Sequence, residues 1–268
     1  QFVPAGQRLG ERGKGKGAIE TIGDDEVIHV DTGLGPLDHH QTEDRNVSAT
    51  SLTWRYIKTQ NPAFSHKTDE SERMKDKEEA IDRMVKVVVD TDHFKEVFWK
   101  DSLADYHMFS LLALLDGLKL TKQGQDQYYV TFGTDCLNYI LHEFENRIWA
   151  EKEIAKSGKK FKTSFGKGIA FETLNDTVLK LAQKMGYAIV VRKDPRKGYV
   201  RIKARPCEDK TCDIDLTSAY EKFKKLDPGA TWFLHVSGHM LLNGTTKNPT
   251  MRPTKLTLEE IVKVLESV

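Results

Sequence analysis

Apolar positions along the chain recur with two periods. Residues 26–31 (Glu-Val-Ile-His-Val-Asp) form a short apolar run that ends on a carboxylate, the pattern of a buried strand. Thr32-Gly33-Leu34-Gly35-Pro36 must then turn. Helical spacing begins at residues 46–56, where Ser48 fits an N-cap and Ala49, Leu52 and Tyr56 an apolar stripe. Residues 65–79 are densely charged and read as the exposed start of a longer helix. That helix continues through Ile81, Met84, Val85, Val88 and Val89, an i, i+3, i+4 face. Residues 104–120 predict an apolar helix that stops at Gly117. Residues 135–157 predict an amphipathic one, with Leu137, Ile140, Leu141, Phe144 and Ile148 on one side.

The Lys- and Gly-rich stretch 152–168 reads as a boundary and hinge, which divides the chain into domains 1–158 and 159–268. Beyond it, residues 173–184 are helical, capped by Thr173 or Asn175. Residues 187–192 and 199–204 are strands around the turn Asp194-Pro195-Arg196-Lys197-Gly198, and so form a hairpin. Residues 216–226 predict a helix, 232–236 a strand and 257–266 a last helix. Alternating helices and strands place both halves in the α/β class.

Composition narrows the function classes. At 268 residues, 38% hydrophobic and 30% charged, the chain is globular and not fibrous or disordered. A net charge of +1 argues against coating long nucleic acid by bulk charge and leaves room for a local basic groove. Residues 8–17, rich in Gly, Lys and Arg, read as a solvated loop. No apolar run is long enough to span a bilayer, so no membrane role is expected. The polar, basic start lacks the apolar core of a signal peptide, and Cys136, Cys207 and Cys212 form no even framework. Reduced cysteines and a cytoplasmic location are therefore expected. The chain opens on Gln1, and Phe2-Val3-Pro4 reads like the end of a strand, which predicts an upstream segment.

The sharpest chemical feature is Asp38-His39-His40, seven residues after Asp31: four metal-competent side chains within ten residues. Asp31 ends an apolar strand, where open α/β sheets place ligand sites. Mixed carboxylates and imidazoles suit Mn²⁺, Fe²⁺ or Zn²⁺ better than Ca²⁺ or Mg²⁺. His29 and Asp31 share a strand face, and His29 is expected to be a buried structural residue. Near the other end, Gly238 and Gly244 permit close backbone approach, and His235, His239, Asn243 and Lys247 bring donors. Arg201, Lys203 and Arg205 alternate on one strand and could meet a phosphate backbone, although a solvated strand face explains them equally. Cys207 and Cys212 lack a second ligand pair, so no zinc site is expected.

The run VIHVDTGLGPLDHHQTEDRNVSATSL resembles the DHH phosphoesterase superfamily, most closely its Myg-type branch of metal-dependent hydrolases related to exonucleases. The segment Trp232-Phe-Leu-His-Val-Ser-Gly-His-Met-Leu-Leu-Asn-Gly-Thr-Thr-Lys247 resembles that branch's C-terminal motif. The resemblance implies an N-terminal parallel-sheet domain with a dinuclear centre, usually manganese, and a smaller C-terminal domain that closes over the substrate. It assigns Asp31 as a bridging carboxylate and His39 as a metal ligand. Asp38 and His40 become the groups that orient a ligand or meet the phosphate. Asp92, with Asp90 as alternative, becomes a further metal carboxylate. His235, Gly238, His239, Asn243, Gly244 and Lys247 become substrate contacts. The family's first strand and its His-x-Asp motif have no counterpart in this sequence.

Phosphoester hydrolysis needs a hydroxide at neutral pH and stabilised charge on the phosphoryl oxygens, which two divalent ions about 3.5–4 Å apart supply. The expected activity is metal-dependent hydrolysis of a phosphorylated substrate, including short RNA or DNA ends. The alternatives are a non-catalytic binding module that keeps the fold and a small-molecule phosphatase or pyrophosphatase.

Overall fold

The computed structural model describes residues 19–61, 71–208, 213–245, 248 and 250–268. Lys247 and Cys212 lie outside them, as do residues 8–17 of the basic loop. The chain divides into two compact units, Gln1–Glu145 and Asn146–Val268.

Among its described residues, unit 1 carries one two-stranded antiparallel ribbon, β1 (Ile19–Ile22) and β2 (Asp25–Ile28). Helices follow: α1 (Ala49–Gln60), α2 (Ser71–Asp92), α3 (Leu111–Thr121) and α4 (Asp126–Lys156), the last running on past Glu145. The parallel-sheet N-terminal domain is thus not what these residues form. The apolar run expected to reach Asp31 stops being a strand at Ile28, because Asp31 turns into the left-handed region at φ 58°. Ser48 caps α1 in a reciprocal box, its hydroxyl accepting from the Ser51 N–H while the Ser51 hydroxyl accepts from the Ser48 N–H. Helix α1 docks on α2 through Trp54, whose indole N–H donates to Asp82 at 2.6 Å. Lys58 joins the same carboxylate at 3.1 Å. Helix α3 starts at Leu111 and passes through Gly117, where the sequence predicts a stop. Ser110 caps it by accepting the Ala113 N–H.

Unit 2 is built on a six-stranded mixed sheet in the order β3-β4-β5-β6-β8-β7. Its strands are β3 (Lys159–Thr163), β4 (Gly166–Glu172), β5 (Ile189–Lys193), β6 (Val200–Ala204), β7 (Trp232–Leu234) and β8 (Met240–Asn243). Only β4 and β5 pair in parallel, joined through α5 (Thr177–Lys184). The stretch 152–168 is therefore no linker: it is the end of α4, all of β3 and the start of β4. Gly168 has a structural reason to be there, since a Cβ would overlap the Phe161 ring on the paired strand.

Sequence pattern accounts for how the sheet is covered. The continuous run Ile189-Val190-Val191 is buried on both faces. On one side lie α6 (Thr217–Leu226) and α7 (Leu258–Glu266), and a core forms from Ile202, Leu216, Phe223, Trp232, Leu241 and Ile261. Trp232 stacks on Phe223 with ring centroids 4.4 Å apart. On the other side Ile154, Phe171, Val178, Leu179 and Val190 pack together. Full burial of each such side chain contributes about 1.5–3 kcal/mol. Strand β6 alternates, with Val200, Ile202 and Ala204 inward and Arg201 and Lys203 on the opposite face. Cys136 is free and Cys207 is disulfide-bonded, so the expectation of uniformly reduced cysteines does not hold.

Asn243 ties the C-terminal end of the sheet together. It is wholly buried, its amide donates to the Thr231 and Arg252 carbonyls, and its oxygen accepts the Thr254 N–H. Replacing it with Leu strands the Thr231 carbonyl and the Thr254 N–H and leaves the Arg252 carbonyl only the Thr231 N–H. Asn243→Leu is expected to cost unit 2 about 3 kcal/mol or more, read as a lower urea midpoint of the full chain.

Several carboxyls of unit 2 sit below their ordinary values. Asp215 is held down by the Thr217 hydroxyl and amide, Glu260 by the Thr257 amide and hydroxyl of the α7 cap, and Glu259 chiefly by its pair with Lys159. A folded-state value below the unfolded one gives stability that is present above the unfolded value and disappears as pH falls through the folded one. The urea midpoint is therefore expected to hold between about pH 6 and 8 and to fall below about pH 4. Glu260→Gln should make that acid slope shallower.

Candidate metal centre

The loop between β2 and α1 gathers the expected ligands. Three consecutive constraints shape it. Asp31 and Leu34 adopt left-handed backbone at φ 58° and 55°, with Gly33 at 72° between them. For a residue such as Leu34 that conformation costs about 1–2 kcal/mol, a strain that persists only where the surroundings impose it. Backbone bonds from Asp31 N–H to the Leu37 carbonyl and from Asp38 N–H to the Gly35 carbonyl close the turn. The Asp38 carboxylate, 2% exposed, then accepts the Leu34 N–H at 2.8 Å, the His40 N–H at 3.0 Å and the His40 Nδ1 at 2.6 Å.

Burial works to raise the Asp38 pKa. The hydrogen bonds from the His40 amide and ring and the Leu34 amide outweigh it and hold the carboxyl below its ordinary value. The same bond to Asp38, reinforced by its charge and by those of Asp31 and Asp92, raises the His40 imidazole. His40 is 60% exposed, so Asp38 presents a fixed imidazole to solvent.

His39 is nearly buried, and its ring stacks on that of His40 with centroids 4.6 Å apart. Its Nδ1 lies 3.2 Å from Asp31 Oδ1 and its Nε2 lies 3.0 Å from Asp92 Oδ2. The Ala49 N–H, an orphan donor of the first turn of α1, donates to the same Nδ1 at 3.2 Å. With Nδ1 accepting, the ring proton of neutral His39 sits on Nε2 and faces Asp92. Asp31 Oδ1 then confronts a nitrogen lone pair. A cation beside Asp31 or a second proton on the ring would relieve that contact.

Asp31, Asp38, His39 and His40 each offer one ligand atom within 4.8 Å of the others, so the cluster could hold a metal ion. Two ligands about 2.1 Å from one ion and at right angles to each other are about 3 Å apart, close to the Asp31–His39 separation. Borderline metals such as Mn²⁺, Zn²⁺ or Fe²⁺ fit the mixed oxygen and nitrogen donors.

The expected residues divide sharply by position. Asp92 lies outside the cluster but beside it, its Oδ2 3.0 Å from His39 Nε2, whereas Asp90 is paired with Lys95 at 3.2 Å. His29 is buried, with its Nε2 3.4 Å from Glu20 Oε2, and lies outside the cluster. His93 escaped the sequence reading. Its Nε2 lies 2.8 Å from the Val47 carbonyl, and its ring meets that of His39 edge-on at 6.1 Å. The signal was its place next to Asp92.

In unit 2 the expected substrate contacts are mostly committed to the fold. Asn243 is buried and saturated, as described. Gly244, at φ 77°, makes room for the Tyr199 ring, and Gly238, at φ 74°, for the Asp215 carboxylate. Both close approaches are internal. Arg201 and Arg192 share the Asp176 carboxylate. His239 lies 3.2 Å from Asp213, and its Nδ1 is 2.9 Å from the Ile214 carbonyl. His235 is half-buried, with Nδ1 2.8 Å from the Ser237 hydroxyl.

No family model, curated protein or solved structure matches this chain. The site stands on its own geometry.

Asp38→Ala removes three acceptor contacts at once. It is expected to cost about 2–4 kcal/mol of local stability and to abolish the hydrogen-exchange protection of the Leu34 and His40 amides. Unit 2 amides should be unchanged.

Proposed function

We propose that the protein is a metal-dependent phosphoesterase of the DHH type, with Asp31, His39 and Asp92 as ligands and the Asp38–His40 pair beside them. One observation carries the reading: the His39 ring lies between two carboxylates, 3.2 Å from Asp31 and 3.0 Å from Asp92, while its Nδ1 also takes the Ala49 N–H. That is the environment of a ligand rather than of a packed imidazole. Manganese is the preferred ion on the family resemblance, and the donor set accepts it.

The roles follow from the contacts. Asp31 is exposed and free to turn toward an ion. His39 is fixed by the Ala49 amide and by Asp92, so its ring plane is set before anything binds. Asp38 is saturated by hydrogen bonds and cannot leave the loop. Its part is to hold His40, whose imidazole can hydrogen-bond a phosphoryl oxygen or pass a proton to a departing one. A divalent ion would supply Lewis acidity toward the phosphoryl group and a hydroxide at neutral pH. The open side of the cluster, formed by Asp31 and His40, suits a phosphate monoester, a diester or a short nucleic-acid end.

A metal-binding module without turnover is the second reading. Commitment of Asp38 and His40 to each other favours it, because Asp31, His39 and Asp92 are then left to hold an ion.

Mn²⁺ added to the full chain at about 100 times its dissociation constant should stabilise unit 1 by about 2.7 kcal/mol, a melting shift of roughly 5–10 °C. Asp31→Asn and His39→Ala should each abolish the shift, and an undiminished shift in both variants would remove the metal assignment. His40→Ala should keep the shift and lower turnover of bis(p-nitrophenyl) phosphate at least tenfold. A wild-type shift with no turnover selects the binding module.

A further inference from the structure

Helix α3 reads Leu-Leu-Ala-Leu-Leu-Asp-Gly-Leu-Lys-Leu-Thr, six leucines in eleven residues, and none of its residues is buried. A helix so rich in leucine ordinarily has its apolar face covered. Here α3 and the first part of α4 line an open apolar groove of about 920 Å³, and none of its lining residues is charged. Met108, Phe109, Leu114, Tyr128 and Tyr139 line it while 71%, 97%, 53%, 48% and 72% exposed. Taking about 150–250 Å² for a whole aromatic side chain, these five expose on the order of 600 Å². That lies at the upper limit of the largest patch on an ordinary monomer, about 300–600 Å². It approaches the roughly 800 Å² that each partner contributes to a standard interface, and the half-buried Leu111, Leu118, Phe132 and Ile140 add to it.

We propose that this groove is the interface of a homodimer, with α3 of one copy packed antiparallel against α3 of the other. The surface is complementary to itself. Ala113, Gly117 and Thr121 recur every four residues along the groove and let a second helix approach closely, while Phe109 and Met108 stand at one end as knobs. A two-fold axis passing between Ala113 and Gly117 sets Phe109 of each copy beside Thr121 of the other, an isologous contact that closes at two. Gly117 has no use inside the chain: it lies mid-helix, where glycine is unfavourable, and a Cβ there would meet nothing within 4 Å. Charge does not oppose the pairing either. Asp116 and Lys119 beside the groove pair with each other at 3.6 Å, so the two faces meet without net repulsion.

Sedimentation equilibrium of the full chain at about 50 µM tests this. The expected mass is twice the 30.5 kDa of one chain. Leu114→Glu should weaken self-association at least tenfold with an unchanged far-UV CD spectrum, because Leu114 is already exposed within one copy. Gly117→Ala should also weaken it while raising helix content or leaving it unaltered, since the added methyl group meets only the partner. A monomeric wild type overturns the proposal and gives the face to a different occupant. A dimer indifferent to both substitutions overturns it as well, because its interface lies elsewhere.

Discussion

The candidate site depends on the burial of one carboxylate. Asp38 is charged and almost completely removed from solvent, a state tolerated only when every oxygen finds donors. The available donors are local: the Leu34 amide, the His40 amide and the His40 ring. Meeting that demand forces the chain to curl around the side chain, with Leu34 in left-handed backbone and the His40 ring folded back over two residues. His39 is then placed beside that pair. Its imidazole stacks on the His40 ring, with centroids 4.6 Å apart, and lies between Asp31, Asp92 and the start of α1. The tripeptide thus works as a divided unit. Its first and third residues form a rigid pair and its second is presented to partners distant in sequence.

Unit 2 is stabilised by a different force. Its two apolar layers bury the sheet on both sides, and its polar residues serve mainly to satisfy backbone at the ends of strands. That division explains why a segment resembling a substrate-binding motif contributes so much to folding. Glycines that allow a ligand to approach also allow an aromatic ring to approach. At Gly244 the ring of Tyr199 is the neighbour. Sequence carries the requirement for closeness and not the identity of what comes close.

Local signals were legible in the sequence where the physics is local. The Ser48 cap, the hairpin of β5 and β6, the alternation of Arg201 and Lys203, and the acid and imidazole residues of the loop all arise from neighbours a few positions apart. Asp92 and not Asp90 faces His39 because the two differ by about 200° around a helix, and Lys95 claims Asp90. What was not legible depends on pairing. The lysines and glycines of residues 159–168 resemble a linker in composition, yet alternate Phe161 inward on a strand whose partner must be Gly168. The run ending at Asp31 looked like a strand because apolar content does not record that its last residue turns left-handed. The parallel sheet came from family resemblance alone and has no counterpart among the described residues of unit 1.

The C-terminal end of α2 holds the site from outside the loop. Asp92 and His93 are adjacent, and they grip the β2–α1 loop and its continuation at two points, the His39 imidazole and the Val47 carbonyl. Val47 immediately precedes the cap residue Ser48, so His93 holds the chain where α1 begins, and Ala49 of that first turn donates to His39. The contacts form a closed circuit: α2 to His39, His39 to α1, and α1 back to α2 through Trp54 and Asp82. No member can shift without disturbing the next. An ion bound at Asp31 and His39 would therefore be felt at the docking of α1 on α2, at Trp54 and Asp82. Such a circuit also accounts for the strain held in the loop: left-handed Asp31 and Leu34 are maintained because the ends of the loop are fixed by elements that the loop itself does not contain.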